Sequence, residues 1–452
     1  MIPAQLSSEL EQIVGSEHVL GGGAGYDRDA SESRGLRAEP DAVVRPADTE
    51  QAAATIRACY RHGMPVVPRG GGTGFAGGAV AVGGGVVLSA ERLTRIRSLD
   101  PLLWRMEVEA GVTTRDVQRL ARENGLLFPP DPGAAEQSQI GGNVATNAGG
   151  PHAFKYGTTG AWVTGVEAVL PPGRVVRFGG PVRKNVAGYD LTHLLTGSEG
   201  TLGFITAVWL RLIPRPEATL PVVALYADDA TGAQAVRNVV GSGLAPAALD
   251  YLDTATMGAA GAAMPVPDAH GFAVLAELDG SPVEIERVRP ELIEALTPGA
   301  TAVHTPDPDA LWRWREGVSL AVEVQRGGKL SEDIVVPLEH LGAAVADVIA
   351  IGERHGLPAC SWGHAGDGNL HATFMIDRTD PEEVARAEQA AVDVFALAGR
   401  YGGSVSGEHG IGLVKRDHVA DTWSPDELET QRAIKRLFDP QNLMNPGKKI
   451  VA

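Results

Sequence analysis

At 452 residues the chain is too long for one small core, and two or three domains in close contact are expected. The hydrophobic fraction of 44% supports a large buried interior, and 57 glycines gathered in a few stretches mark loops where the backbone approaches a ligand. A balance of 56 carboxylates against 39 Lys plus Arg, net −17, argues against nucleic acid or anionic lipid as a partner. The two distant cysteines, Cys59 and Cys360, argue against a disulfide framework, a cysteine zinc ribbon and an iron–sulfur cluster.

The first fifteen residues, MIPAQLSSELEQIVG, lack a charged segment followed by an apolar one, so no signal peptide is expected. The uncharged stretch Gly70 to Ala90 is too glycine-rich for a membrane span, and a cytoplasmic protein without a transmembrane segment is expected, with peripheral membrane attachment left open. Residues 42–69 read as strand, helix, strand. The helix starts at Asp48-Thr49, runs to about His62 and is closed by Gly63. A glycine-rich segment, Arg69 to Gly78, follows. Strands are expected near Val86–Leu88 and Trp104–Glu109, and a helix near Thr114–Asn124. From Phe128 to about Gly160 the pattern is that of a long loop, a length that usually serves function. Strands return at Val163–Leu170, Val175–Phe178 and Phe204–Leu212, and Pro214 and Pro216 mark a boundary. Beyond it, Leu338–His355 and Pro381 to about Tyr401 are helical. Between them, Gly-His364-Ala-Gly-Asp-Gly-Asn-Leu-His371 predicts a hairpin at Asp-Gly with a histidine on each side. The last helix opens on Ser424-Pro-Asp-Glu427.

Gly72-Thr-Gly74-Phe-Ala-Gly77 is a literal G-x-G-x-x-G after a strand. A Rossmann site needs a helix opening at the third glycine, and Gly78-Ala-Val-Ala-Val-Gly-Gly-Gly is poor helix material. A loop dense in backbone N–H groups can still cradle phosphate as a nest. Further glycine elements follow: Pro129-Pro-Asp-Pro-Gly133, Ile140-Gly-Gly-Asn143 through Gly150, Gly188-Tyr-Asp190-Leu, and Gly197-Ser-Glu-Gly-Thr-Leu-Gly203. Their order and spacing resemble the FAD-binding domain of the vanillyl-alcohol oxidase and para-cresol methylhydroxylase (PCMH) superfamily. Within it the glycolate oxidase GlcD-like branch, with D-lactate and D-2-hydroxyglutarate dehydrogenases, fits best over about residues 35–450.

That resemblance implies an α+β fold class. A PCMH-type FAD-binding domain of two α/β subdomains would span 1–215. A cap domain with an antiparallel sheet and helices, carrying a metal site, would span 216–410, and a C-terminal segment, 411–452, would pack back on the FAD domain. It implies that Arg69, Gly70, Gly71, Gly72, Thr73, Gly74, Gly77 and Gly78 wrap the pyrophosphate. Pro130, Asp131, Ser138, Gly141, Gly142, Asn143 and Asn147 would line the flavin; Glu199, Gly200 and Ile205 would touch its adenine side or ring, and Asn445 would lie near the isoalloxazine. Covalently flavinylated relatives carry a His where Thr73 stands, so non-covalent FAD is expected.

Two histidines and a carboxylate at glycine-flanked positions suit a divalent ion with open coordination positions, zinc first, with Mn²⁺ or Fe²⁺ also fitting. By the likeness of GHAGDGNLH and SGEHG to the branch's two metal motifs, His364, His371 and Glu408 are the ligands and His409 is the base. The chemistry expected is FAD-dependent oxidation of a D-2-hydroxyacid (D-lactate, glycolate or D-2-hydroxyglutarate-like) to the 2-oxoacid. His409 takes the hydroxyl proton with the metal's help, and the C2 hydride goes to flavin N5. Arg315, in Trp312-Arg-Trp-Arg315, matches the branch's carboxylate-binding arginine, and Ser319, one helical turn on, adds a hydroxyl.

Two positions depart from some relatives. Ser331 stands where they place a lysine, with Lys329 nearby but out of register, and Thr373 stands where they place an asparagine. Both count against a second carboxylate contact and so against a D-2-hydroxyglutarate-type substrate. The chain must hand electrons to an external acceptor: an electron-transfer flavoprotein, quinone, cytochrome, iron–sulfur subunit or oxygen. A homodimer is compatible with the sequence. Competing readings are a same-fold transferase of the alkylglycerone-phosphate synthase type and a flavin subunit of a multi-subunit glycolate oxidase complex.

Overall fold

The computed structural model describes residues 2–23 and 25–450, which divide into two compact units. The first holds the chain up to Gly149, then Thr158–Arg215 and the segment from Glu408 onward. The second holds Gly150–Gly157 and Pro216–Gly407.

In the first unit a small sheet runs in the order Val19–Leu20, Ala42–Val44, Val86–Ser89, Val66–Arg69. Its last three strands are parallel and apolar, as strands covered on both faces must be. The helix Thr49–Arg61 follows Ala42–Val44; Asp48 caps it by accepting from Gln51 N, and Gly63 turns the chain at φ +62°. No helix begins at Gly77 or Gly78, so the segment is a loop and not a dinucleotide turn. A second, antiparallel sheet orders Ile96–Asp100, Arg105–Glu109, Phe204–Arg211, Val163–Leu170 and Arg174–Gly179. Glu167 is buried in it and ionised; Arg97, Arg177 and Thr49 outweigh the effect of burial and hold its carboxyl down at about 2.

The expected long loop contains two short helices, Ile140–Thr146 and Ala153–Tyr156. Helix propensity speaks against Ile-Gly-Gly-Asn, yet packing overrides it. A Cβ on Gly141 would meet Ala110 Cβ at 2.6 Å, so only glycine lets this turn lie against Ala110. The C-terminal segment returns to the same unit: Val66 N bonds Leu443 O at 2.8 Å and Asn445 N bonds Val66 O at 2.7 Å.

The second unit is built on a seven-stranded sheet in the order Ala300–His304, Ala218–Tyr226, Phe272–Gly280, Ala248–Leu252, Ala359–Gly363, Asn369–Met375, Lys329–Val335. All neighbours are antiparallel. Helix Pro308–Glu323 packs Leu311, Val318 and Val322 with Leu252, Cys360 and Trp362 of the sheet. The excursion Gly150–Gly157 is tied here by His152 Nε2 to Glu277 Oε1 at 3.1 Å and by Lys155 and Tyr156 to Asp279. Among the described residues no helix is long and apolar enough to cross a membrane.

Candidate functional site

All the residues expected to hold FAD fall in the first unit. Arg69 to Gly78 form the loop after strand Val66–Arg69, and the segment 137–142 lies directly behind it. A Cβ on Gly71 would stand 2.0 Å from Gln137 O, and one on Gly70 would stand 3.3 Å from Gly142 Cα. Two glycine-bearing backbones therefore press together. Gly74 and Gly78 face open space, with nothing within 4 Å of an added Cβ. A phosphate-bearing cofactor fits such a loop, which is dense in backbone N–H groups.

Several of these residues brace the cradle through their side chains. Arg69 is buried and donates to the carbonyls of Arg28 at 2.7 Å and Gly25 at 3.0 Å. Asn143 donates to Thr114 Oγ1, which pairs with Ser138 Oγ at 2.7 Å. Asn147 takes the left-handed position (φ +55°) ending helix Ile140–Thr146 and accepts from Thr158 and Gly160. Pro130 O accepts from Gln118, Asp131 is half-buried, and Ile205 is buried on strand Phe204–Arg211. Asn445 Nδ2 donates to Gly78 O at 3.0 Å and Glu199 O at 2.8 Å. Its Oδ1 accepts from Lys448, whose amine burial pushes down to about 8. The carboxylate of Glu199 is committed to the backbone N–H groups of Ile411 (2.9 Å) and Gly412 (2.7 Å), while Gly200 turns at φ +69° against Pro68. Glu199 thus anchors the loop that carries His409. The imidazole of His409 packs on Phe75 of the glycine loop, ring centroids 4.6 Å apart. Glu408 Oε1 lies 4.0 Å from His409 Nε2, and Gly149 leaves room beside Glu408, its Cβ position being 3.0 Å from Oε2.

In the second unit His364 directly follows strand Ala359–Gly363 and His371 lies on strand Asn369–Met375, opposite Trp362. The two imidazoles meet edge-on, centroids 5.6 Å apart, and each can present a nitrogen within 4.8 Å of the other's. Both are buried. Asp250 is fully buried on the central strand Ala248–Leu252 and faces both His364 Nδ1 (2.8 Å) and Arg315 (NH2 to Oδ2, 2.7 Å). Burial raises its carboxyl, but His364 and Arg315 outweigh that and hold it below the usual carboxylate range. A carboxylate only accepts, so His364 Nδ1 donates, and in the neutral imidazole Nε2 then carries the lone pair a metal requires. Two imidazoles so presented fit a divalent cation as donors.

Asp333 is buried on strand Lys329–Val335, opposite His371. It accepts from Asn369 Nδ2, Ser406 Oγ at 2.9 Å and Gly407 N at 3.0 Å. A Cβ on Gly407 would collide with Asn369 Nδ2 at 2.1 Å. Gly407 is therefore fixed against the strand, and Glu408 is the next residue of the chain. Ser319 is engaged by Lys329, whose ammonium donates to its carbonyl at 2.6 Å and to its hydroxyl and lies 3.5 Å from Glu323. Ser331 and Thr373 face each other in register with hydroxyls 2.7 Å apart. Phe75, Asp250 and Asp333 were not among the expected site residues.

Residues 40–179 match the FAD binding domain model, and residues 215–449 match the model of FAD linked oxidases, C-terminal domain. The chain belongs to the FAD-linked oxidase family. It is 35% identical over 459 residues to glycolate oxidase subunit GlcD of Bacillus subtilis (strain 168), covering 99% of this chain and 97% of that one. It is likewise 35% identical to the D-lactate dehydrogenase of Anaerostipes hadrus, covering 91% and 90%. p-Cresol methylhydroxylase shares the fold at a TM-score of 0.80 and 18% identity, covering 99% of this chain and 96% of that one. This flavoprotein is thus an FAD-linked oxidoreductase of the GlcD and D-lactate dehydrogenase type with a PCMH-type fold.

Proposed function

We propose that this FAD-linked oxidoreductase oxidises a short D-2-hydroxyacid, D-lactate or glycolate first, to the 2-oxoacid with the help of a divalent metal. One observation carries the reading. His364 and Arg315 share the single buried carboxylate of Asp250, so a cation ligand and a carboxylate-binding group stand side by side in one unit. A 2-hydroxyacid presents a hydroxyl and a carboxylate on adjacent carbons, which that pair matches.

His364, His371 and Glu408 hold the metal, zinc before Mn²⁺ or Fe²⁺. Non-covalent FAD lies against the Arg69–Gly78 loop, where Thr73 offers no imidazole for a covalent bond. When bound, FAD supplies the acceptor for the C2 hydride and the metal supplies Lewis acidity toward the C2 hydroxyl. His409 takes the hydroxyl proton, and its packing on Phe75 restricts the ring's rotation. Arg315 holds the substrate carboxylate through the edge of its fork that Asp250 does not occupy. Ser319 helps indirectly, by holding Lys329. That lysine is committed to Ser319 and Glu323, and Ser331 and Thr373 pair with each other. These contacts support a monocarboxylic substrate over a 2-hydroxyglutarate-like one.

The electrons leave to an external acceptor. The name of the Bacillus relative, a glycolate oxidase subunit, supports a flavin subunit that works with partner proteins. The transferase reading rested on the FAD loops alone, which the oxidase families share.

Verified removal of metal from the FAD-replete protein is expected to slow anaerobic flavin reduction by a D-2-hydroxyacid about a hundredfold or more. Zn²⁺ or Mn²⁺ is expected to restore it. An unchanged rate in metal-free protein removes the metal from the reaction.

A further inference from the structure

Asp250 is a lone acidic residue in the apolar strand Ala248–Leu252, at the centre of the seven-stranded sheet. Burying a carboxylate there is costly unless every oxygen finds a donor. Its two oxygens divide the work. Oδ1 lies 2.8 Å from His364 Nδ1, and Oδ2 accepts from Arg315 Nε at 2.8 Å and NH2 at 2.7 Å.

Each contact removes a freedom. Without an acceptor at Nδ1, His364 can populate either neutral tautomer, and its ring can turn about the end of strand Ala359–Gly363. With the acceptor, the neutral ring keeps its proton on Nδ1 and its lone pair on Nε2, and the ring plane is set. Arg315 sits on helix Pro308–Glu323 at the end of a flexible stem. Engaging the Nε–NH2 edge of its planar fork turns the NH1 edge away from Asp250. The strand behind the carboxylate is itself held on both sides. Asp250 pairs with Leu275, the next residue Tyr251 pairs with Gly363, and the Tyr251 hydroxyl bonds Ser361.

We propose that Asp250 is a positioning residue that presents His364 Nε2 as a metal ligand and aims Arg315 at the substrate carboxylate, coupling metal affinity to substrate binding. A charge partner serving Arg315 alone would leave His364 Nδ1 unused. The inference rests on the metal-assisted reading above.

The test titrates FAD-replete, metal-stripped protein with Zn²⁺ in competition with a chromophoric chelator. Asp250→Asn is expected to weaken Zn²⁺ binding about 10- to 100-fold while FAD content stays at the wild-type level. Asp250→Glu is expected to recover part of the loss. Arg315→Gln, which keeps the His364 bond, is expected to hold Zn²⁺ within about threefold of wild type. If Asp250→Asn fails to fold because Arg315 is left unpaired, the double variant Asp250→Asn/Arg315→Gln removes that charge and is expected to show the same weakening. Wild-type affinity in Asp250→Asn or in the double variant overturns the positioning role and leaves the metal reading standing. A wild-type protein that binds no Zn²⁺ overturns the metal reading and the positioning role with it.

Discussion

His409→Ala is expected to leave FAD bound and to stop its reduction by substrate. Abstraction of the hydroxyl proton by a positioned imidazole contributes on the order of 10²–10⁴ in rate, so anaerobic flavin reduction is expected to fall by that factor. The side chain is half-buried and rests on the half-exposed Phe75, so its removal opens no core cavity. The anchor of its loop, Glu199 with the N–H groups of Ile411 and Gly412, is untouched. The variant's FAD-to-protein ratio and visible spectrum are therefore expected to match wild type, which separates a lost base from a lost cofactor. A wild-type reduction rate in His409→Ala refutes the assignment of the base.

Gly71→Ala is expected to act on the other half of the chemistry, the hold on FAD. The added methyl would sit 2.0 Å from the carbonyl oxygen of Gln137 and 2.9 Å from its carbon. Both atoms are backbone, so no side chain can swing aside. Either the glycine loop or the segment behind it must move, and both carry residues that contact the cofactor in the reading given above. FAD affinity is expected to fall at least tenfold, or about 1.4 kcal/mol, read from the fraction of flavin retained on dilution. Gly133→Ala is the control: its Cβ would meet nothing within 4 Å, and FAD retention is expected to be unchanged. Equal retention by the two variants contradicts the cradle.

The parts of this site that were legible in the sequence are those where backbone geometry leaves a residue no substitute. In the glycine loop this holds at Gly71, where the backbone of Gln137 leaves no space for a side chain. The hairpin between His364 and His371 was readable from Asp367-Gly368, where the chain turns at φ +68°. Helix Ile140–Thr146 was not, because its two glycines signal a loop by propensity while contact with Ala110 makes Gly141 necessary. Asp250 and Asp333 were missed for a different reason. Their partners lie 114 and 73 residues away in sequence, at His364 and Ser406, and no local spacing reports them. A signal was nonetheless present at Asp250, the one charged residue in strand Ala248–Leu252, a position tolerated only when specific donors converge on it; Asp333 stands beside Glu332 in the mixed strand Lys329–Val335 and gave no such signal. Glu199 shows the same effect from the other side. Its place in a family motif pointed to the cofactor, whereas its carboxylate is spent on the loop after His409.

The most direct measurement mixes the purified, FAD-replete protein anaerobically with a panel of D- and L-2-hydroxyacids, including D-lactate, glycolate and D-2-hydroxyglutarate, and follows bleaching of the flavin. The expected result is rapid bleaching by D-lactate or glycolate, with the L-acids slower and D-2-hydroxyglutarate weaker. Flavin that stays oxidised with every acid contradicts 2-hydroxyacid oxidation as the function of this chain.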